Sequence, residues 1–335
     1  MIARFPTPAR RALRPGSRGG CSYTGPVAQR WWREPPPAAG SFVMATGIIS
    51  IGLHLTDFEV LSVLWLVLAV GAWLVLAADF TMRLLSDHDR WRGEADTPPA
   101  LTAVAATTVL GTRLALLGWS VPAVFALVTA IAVWPLLLPF VIRRRGARMP
   151  GAAFPVCVST QGIAVLSATL AAREHAPWLD WVGLLFWCGG LVLSGLAFGR
   201  FDLRQVWTGR GDQWLAAGAL AISTLAGARL LGAQWSGPAH QLLRTLTLIL
   251  LALNLIGYVI LLLAEFTRPR PDYDIRHWAT IFPLGTTAVA VYTTAGVIDV
   301  PGLSALGRIL LFVAVVAWLY TLVALLRKRV RVERV

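Results

Sequence analysis

Charged residues are scarce in this sequence. They make up only 14% of the 335 residues, whereas 56% are hydrophobic, and the mean hydropathy is +0.65. Soluble domains carry charge on about a quarter of their residues, so an ordinary soluble fold is excluded. The composition therefore predicts an all-α integral membrane protein with several spans.

Cysteine and histidine are also few and scattered. The three cysteines (Cys21, Cys157 and Cys188) have no paired spacing, which excludes a disulfide framework and a cysteine metal site. The five histidines form no metal-binding motif. No nucleophile and base, and no paired carboxylates, stand within an apolar segment, so we expect neither an enzyme nor a cofactor.

Acidic residues are outnumbered by basic ones, 17 against 30, which gives a net charge of +13. In a soluble chain this excess would suggest a nucleic-acid partner. Here most basic residues lie in short connections between apolar segments, where they orient a membrane protein. We therefore expect a lipid bilayer as the partner and no nucleic acid.

Apolar segments of about 20 residues are what a helix needs to cross a bilayer core of about 30 Å. Charged or Pro/Gly-rich breaks separate ten such segments. They are residues 40–55, 58–80, 100–117, 121–142, 152–172, 178–199, 213–232, 241–263, 277–297 and 303–326.

The placement of arginine supports this division. With the N-terminus inside, most basic residues fall in cytoplasmic segments, as the positive-inside rule requires. We predict a multi-pass protein of the plasma (inner) membrane with both termini cytoplasmic. Residues 1–34 would be a disordered basic tail, 35–326 the membrane domain and 327–335 a basic C-terminal tail; a transit peptide or an over-extended start are alternatives for 1–34.

Serine and threonine are concentrated in the odd-numbered segments, about 18 against about 7 in the even-numbered ones. Hydroxyls in a span usually face other helices or a wet cavity. The pattern predicts inner odd helices and outer, lipid-facing even helices. Helix packing without a pore would explain the same distribution.

Short motifs recur at matching depths in odd segments. Segment 3 has GTRL at 111–114 and segment 7 has GARL at 227–230. Segments 5 and 9 each place a Phe-Pro pair before two hydroxyls, in Phe154, Pro155, Ser159 and Thr160, and in Phe282, Pro283, Thr286 and Thr287. The repetition predicts helical hairpins arranged around an axis.

The two prolines are predicted to kink their helices, because proline removes a backbone donor and clashes with the preceding turn. A bend in an inner helix narrows a central cavity. Phe282 would then project as an apolar plug, with Phe154 as a second constriction. Ordinary packing at a kink is the alternative.

Arg113 and Arg229 stand near the outer ends of segments 3 and 7, and no acid lies in the interior of an odd segment to neutralise them. They either snorkel to headgroups or raise the anion concentration at a pore mouth. Gln161 would either donate to a passing anion or bond across helices. The absence of buried carboxylates favours an anion pathway over a cation pathway or a proton relay.

Two motifs carry a family resemblance. GSFVMATGIISIG (Gly40 to Gly52) and WATIFPLGTTAVA (Trp278 to Ala290) resemble the first and ninth spans of the tellurite-resistance/dicarboxylate transporter family. That family includes the bacterial TehA proteins, the yeast-type malate permease and sulfite exporter, and the plant slow anion channels. The resemblance covers about residues 35 to 326.

The resemblance implies ten helices as five hairpins around a central pore, odd helices inside, in a homotrimer. By motif position it also makes Phe282 the gate. The other predicted pathway residues come from the sequence itself: Thr46, Gly47, Arg113, Ser159, Thr160, Gln161, Arg229, Thr286 and Thr287.

The expected function is channel-like transport of small inorganic or organic anions. A proton-coupled carrier or exporter of dicarboxylate, sulfite or tellurite-related anions is the alternative. A receptor or structural membrane protein is a third reading, because hydroxyls in the interior do not by themselves require conduction.

Overall fold

Helices account for all the regular structure that a computed structural model assigns to the chain. The structure describes residues 39–86, 98–143, 154–209, 211–270, 273–298 and 300–333, and these contain no β-strand. All belong to one compact unit, Pro35–Val335. The predicted tail at 1–34 lies outside the described residues.

The main helices are numbered here in chain order. A short 3-10 turn (Pro98–Leu101) precedes α3 and a single helical turn (Gln205–Thr208) precedes α7. The bounds are α1 Gly40–Leu55, α2 Glu59–Ser86, α3 Thr102–Leu116, α4 Ser120–Arg143, α5 Pro155–Glu174, α6 Trp178–Arg200, α7 Trp214–Leu231, α8 Gly237–Thr267, α9 His277–Val297 and α10 Leu303–Glu333.

Every segment predicted to span the membrane coincides with one of these helices. Eight are long and apolar enough to cross a bilayer, while α1 and α3 are apolar helices of 16 and 15 residues. The boundary predicted at residue 327 does not end a helix, because α10 continues to Glu333. Arginine and lysine are good helix formers, so a basic run can extend a helix beyond its apolar part.

Burial separates the helices into two groups. In the most apolar windows of α5, α7 and α9, between 72% and 94% of residues are buried. The corresponding share in α2, α4, α6, α8 and α10 is only 22 to 28%. Nearly every residue of α1 and α3 is buried as well. The odd-numbered helices therefore form the interior, and the even-numbered ones present leucine, valine and tryptophan outward.

The helix contacts follow a cyclic order. Each odd-numbered helix packs against the even-numbered helix that follows it in the chain. The odd-numbered helices also contact one another in sequence, α1 with α3, α3 with α5, α5 with α7, α7 with α9, and α9 again with α1. The buried faces thus meet around a common centre.

A hydrogen bond joins each even-numbered helix to the next odd-numbered one, and we call these five bonds the joints. Four use an indole N–H as donor, and the fifth uses a threonine hydroxyl and an asparagine amide oxygen. They are Trp73 to Thr107 Oγ1 (2.9 Å), Trp134 to Thr160 Oγ1 (2.9 Å), Trp187 to the Ser223 carbonyl (2.9 Å), Thr287 to Asn254 Oδ1 (3.3 Å) and Trp318 to Thr46 Oγ1 (3.0 Å).

The two prolines differ in position. Pro283 lies inside α9, as predicted. The kink predicted at Pro155 is wrong, because Pro155 is the first residue of α5. The first turn of a helix has no internal acceptor for its N–H groups, so proline fits there without disturbing the helix.

The joint between the first and last helices is expected to contribute measurably to stability. Trp318→Phe and Thr46→Val each remove one partner and keep most of the packing volume. In a double-mutant cycle on detergent-solubilised protein, we expect a coupling free energy of about 0.5–1.5 kcal/mol, typical of hydrogen bonds between membrane helices.

The matched control is Trp119→Phe, because Trp119 is 59% exposed. Its thermal midpoint should remain close to that of the wild type. Strictly additive effects of Trp318→Phe and Thr46→Val would contradict a stabilising joint.

Candidate functional site

A narrow cavity lies where four of the inner helices meet. It has room for about one water molecule and is lined by Ile48 and Ile51 of α1, Thr108, Val109 and Thr112 of α3, Gly162 and Val165 of α5, and Ile222 and Leu225 of α7. Most of these side chains are aliphatic, so the cavity is narrow and largely apolar.

The two threonines of the lining direct their hydroxyls into their own helix. Thr108 donates to the Ala105 carbonyl (2.9 Å) and Thr112 to the Thr108 carbonyl (2.8 Å). Such bonds to the preceding turn satisfy a buried hydroxyl.

Phe282 lies close to this cavity. Its side chain is fully buried, and a Cβ placed on Gly218 of α7 would be 3.6 Å from its ring and 3.0 Å from Pro283 Cγ. Gly218, Ile222 and Leu225 are spaced by four and three residues, so they share one face of α7. Phe282 therefore packs about one helical turn from the lining, on the same face of α7.

Four predicted pathway residues direct polar groups toward outer helices. Thr46, Thr160 and Thr287 take part in the joints, and Gln161 Nε2 donates to the Trp187 carbonyl of α6 (3.1 Å). None of the four is among the lining residues. For Gln161, the contact is the bond across helices, which was one of its two predicted roles.

Three further predicted residues are also absent from the lining. Ser159 donates to the Val156 carbonyl (3.0 Å) and Thr286 to the Phe282 carbonyl (2.7 Å). Gly47 lies next to a lining residue, because a Cβ placed on it would be 2.8 Å from Val109. Gly47 thus permits the close approach of α1 to α3.

Phe154 does not approach the cavity. Its ring packs on Phe198 of α6 at 4.8 Å and on Phe201 at 5.5 Å between centroids. These contacts give no support to a second constriction at Phe154. The Phe-Pro pair resembles that of α9 in sequence, but Pro155 begins its helix and Phe154 precedes the first turn, so the two phenylalanines occupy different environments.

Arg113 is fully buried and has a carboxylate partner. Its Nη2 donates to Glu59 Oε1 (2.6 Å) and its Nε to Ser62 Oγ (3.0 Å). Glu59 also bonds His54 Nδ1 (2.5 Å). Arg113 therefore neither snorkels nor offers the uncompensated positive charge that was predicted for it.

Ser62, which accepts a hydrogen bond from Arg113, also joins α2 to α1. Ser50 Oγ donates to the Ser62 carbonyl and Ser62 Oγ to the Ser50 carbonyl, both at 2.7 Å. The first hairpin and α3 thus share one buried network.

Arg229 has a different environment, although it occupies the corresponding position of the GARL motif at 227–230. Its Nε and Nη2 are buried and have no hydrogen-bond partner within the described ranges. Leu225 and Arg229 are four residues apart, so Arg229 continues the cavity face of α7 by one turn.

Glu59 is the site residue that the sequence analysis missed. It stands at the start of α2, inside a segment treated as uniformly apolar. A signal was present, since a charged residue at the outer end of segment 2 and an arginine at the outer end of segment 3 would lie at the same membrane depth, where opposite charges pair.

Removing the Glu59 carboxylate should destabilise the protein, because it leaves a buried guanidinium without its counter-charge. For Glu59→Gln we expect a loss of about 1–2 kcal/mol, moderated by the partial exposure of Glu59, measured as thermal or denaturant stability in detergent. The double variant Glu59→Gln with Arg113→Gln should lose less stability than the two single variants lose in sum. A loss in the double variant that equals or exceeds this sum would contradict the pairing.

The sequence was also compared with known proteins and protein families. No curated protein matches the chain. One family model, described as SLAC1, voltage-dependent anion channel, matches residues 35–326. A match over most of the chain, on an all-helical structure with helices apolar enough to span a bilayer, makes this a multi-pass membrane protein that belongs to the SLAC1 family of voltage-dependent anion channels.

Proposed function

We propose that small anions cross the membrane along the central cavity, and that Phe282 closes this route. The observation that carries the proposal is the position of Phe282, fully buried against Gly218 and one turn from the cavity lining. Membership of an anion channel family supplies the class of ion.

Size explains how such a route would be closed. A cavity with room for about one water molecule is too narrow for a hydrated anion. An apolar constriction also resists wetting, and an ion cannot pass a dry segment. Displacement of the Phe282 ring would widen the route at the point where Gly218 provides no side chain of its own.

Charge favours anions over cations along this route. The lining contains no carboxylate, and Arg229 extends the cavity face of α7 at one end. A positive charge near the mouth raises the local anion concentration and repels cations. Because Arg113 is balanced by Glu59, Arg229 is the arginine that we assign to this role.

The proposed membrane arrangement has ten helices as five hairpins, odd helices around the pore and even helices toward lipid. The cyclic helix contacts and the difference in burial support it. We further propose that both termini are cytoplasmic, that the protein resides in the plasma (inner) membrane, and that three copies assemble with one pore each.

Phe282→Ala should increase anion conductance several-fold, because a methyl group in place of the ring leaves the route open. The measurement is current in planar bilayers or oocytes, normalised to protein at the membrane. Phe154→Ala is the matched control, since Phe154 packs on α6, and it should leave conductance within about twofold of the wild type. Current that is unchanged or smaller in correctly assembled Phe282→Ala would contradict the gate.

The mode of transport is tested by the reversal potential under a pH gradient, with chloride, nitrate, sulfite and malate in turn. A channel gives a reversal potential that follows the anion and ignores pH. We expect this result because the lining residues include no titratable group that could carry a proton. Flux that requires the proton gradient would establish the carrier alternative, and absence of any flux would exclude transport.

A further inference from the structure

One side of the Arg229 guanidinium has no partner. Its Nε and Nη2 are buried, and within the described residues neither donates a hydrogen bond. Nε–H and Nη2–H lie on the same edge of the guanidinium and point in parallel. An unpaired buried charge is costly, so a group that accepts from both donors would stabilise this arrangement.

In a second arginine of the chain, Arg113, the same edge of the guanidinium has hydrogen-bond partners. Arg113 occupies the corresponding position of the GTRL motif on α3, and its Nε and Nη2 donate to Ser62 Oγ and Glu59 Oε1. The same pair of donors therefore receives two oxygen acceptors in one hairpin and none in another. No carboxylate in the described part of the chain forms an ion pair with Arg229.

A second positive charge lies nearby. Arg173, in the last turn of α5, is near enough to Arg229 for electrostatic repulsion. Its own Nη2 donates to the Leu116 carbonyl at the end of α3 (2.8 Å). Two like charges at the ends of neighbouring inner helices repel each other unless an anion lies between them.

The position of Arg229 connects this edge to the cavity. Ile222, Leu225 and Arg229 are spaced by three and four residues and share the cavity face of α7. Arg173 lies in the last turn of α5, and Arg229 lies in the last turn of α7, which packs against α5. Both arginines therefore stand at the same end of the proposed route.

We propose that the Nε and Nη2 edge of Arg229, assisted by Arg173, is a binding site for oxyanions that carry two oxygens on one central atom, such as nitrate or a carboxylate. The planar fork of a guanidinium matches two such oxygens, whereas a spherical halide accepts without that geometric match. This inference rests on the proposed anion transport and adds a selectivity for oxyanions over halides.

The test uses nitrate and chloride as probes and Arg229→Lys as the main variant. Lysine keeps the positive charge and loses the fork. In full-length protein reconstituted in bilayers, we expect Arg229→Lys to lower the nitrate-to-chloride permeability ratio at least threefold, because the fork that matches nitrate is lost while the positive charge is kept. Arg244→Lys, at an exposed arginine of α8, is the matched control and should keep the wild-type ratio.

Binding is measured separately in detergent. Nitrate should raise the thermal midpoint of the wild type and of Arg244→Lys above the value in chloride at equal concentration, and Arg229→Lys should lose this difference. Arg173→Gln, at an exposed position, provides a second variant if Arg229→Lys does not assemble, and it should reduce the difference.

The outcomes separate the two proposals. An unchanged permeability ratio and an unchanged nitrate effect in Arg229→Lys, or in Arg173→Gln if only that variant assembles, would overturn the oxyanion site while anion transport stands. A wild type that passes neither ion but is stabilised by nitrate in an Arg229-dependent way would overturn transport and retain the site.

Discussion

Hydrogen bonds between buried hydroxyl, amide and indole groups connect the outer helices of this protein to the inner ones. A bilayer provides no water to satisfy them, so an unpaired group is costly. The joints meet the requirement in a regular way, since a group on each outer helix pairs with the next inner helix. Each outer helix is thereby fixed to two inner ones, one by packing and one by a hydrogen bond.

The same requirement leaves the centre apolar. Hydroxyls of the inner helices that bond outer helices or their own preceding turn are not directed toward the axis, where aliphatic groups and glycine remain. Glycine then sets how closely the inner helices approach. A Cβ on Gly162 would be 2.3 Å from Thr108 Oγ1, and one on Gly285 would be 2.8 Å from Ile48. Small residues at such crossings are typical of helices that pack in membranes.

The sequence predicted helix positions and the division into inner and outer helices. Both depend on length, hydropathy and hydroxyl content, which can be evaluated for each segment separately. It did not predict which neighbour a hydroxyl would bond. A helix whose hydroxyls face an outer helix and one whose hydroxyls face the axis have the same composition. Pro155 and Pro283 illustrate the limit: each follows a phenylalanine, yet a difference of a few residues in the helix start gives them different roles. Glu59 was overlooked because hydropathy averages hide one charge in a long apolar run.

The contact between Trp318 and Thr46 joins residues 272 positions apart, almost the full length of the chain. During synthesis, α1 emerges early and α10 last, so the bond between Trp318 and Thr46 cannot form until the C-terminal helix is made. Contacts of such long range are slow to form and leave intermediate faces uncovered in the meantime. Thr46 of α1 therefore gains its partner only after the last hairpin has been made, which makes that hairpin the step that completes the fold.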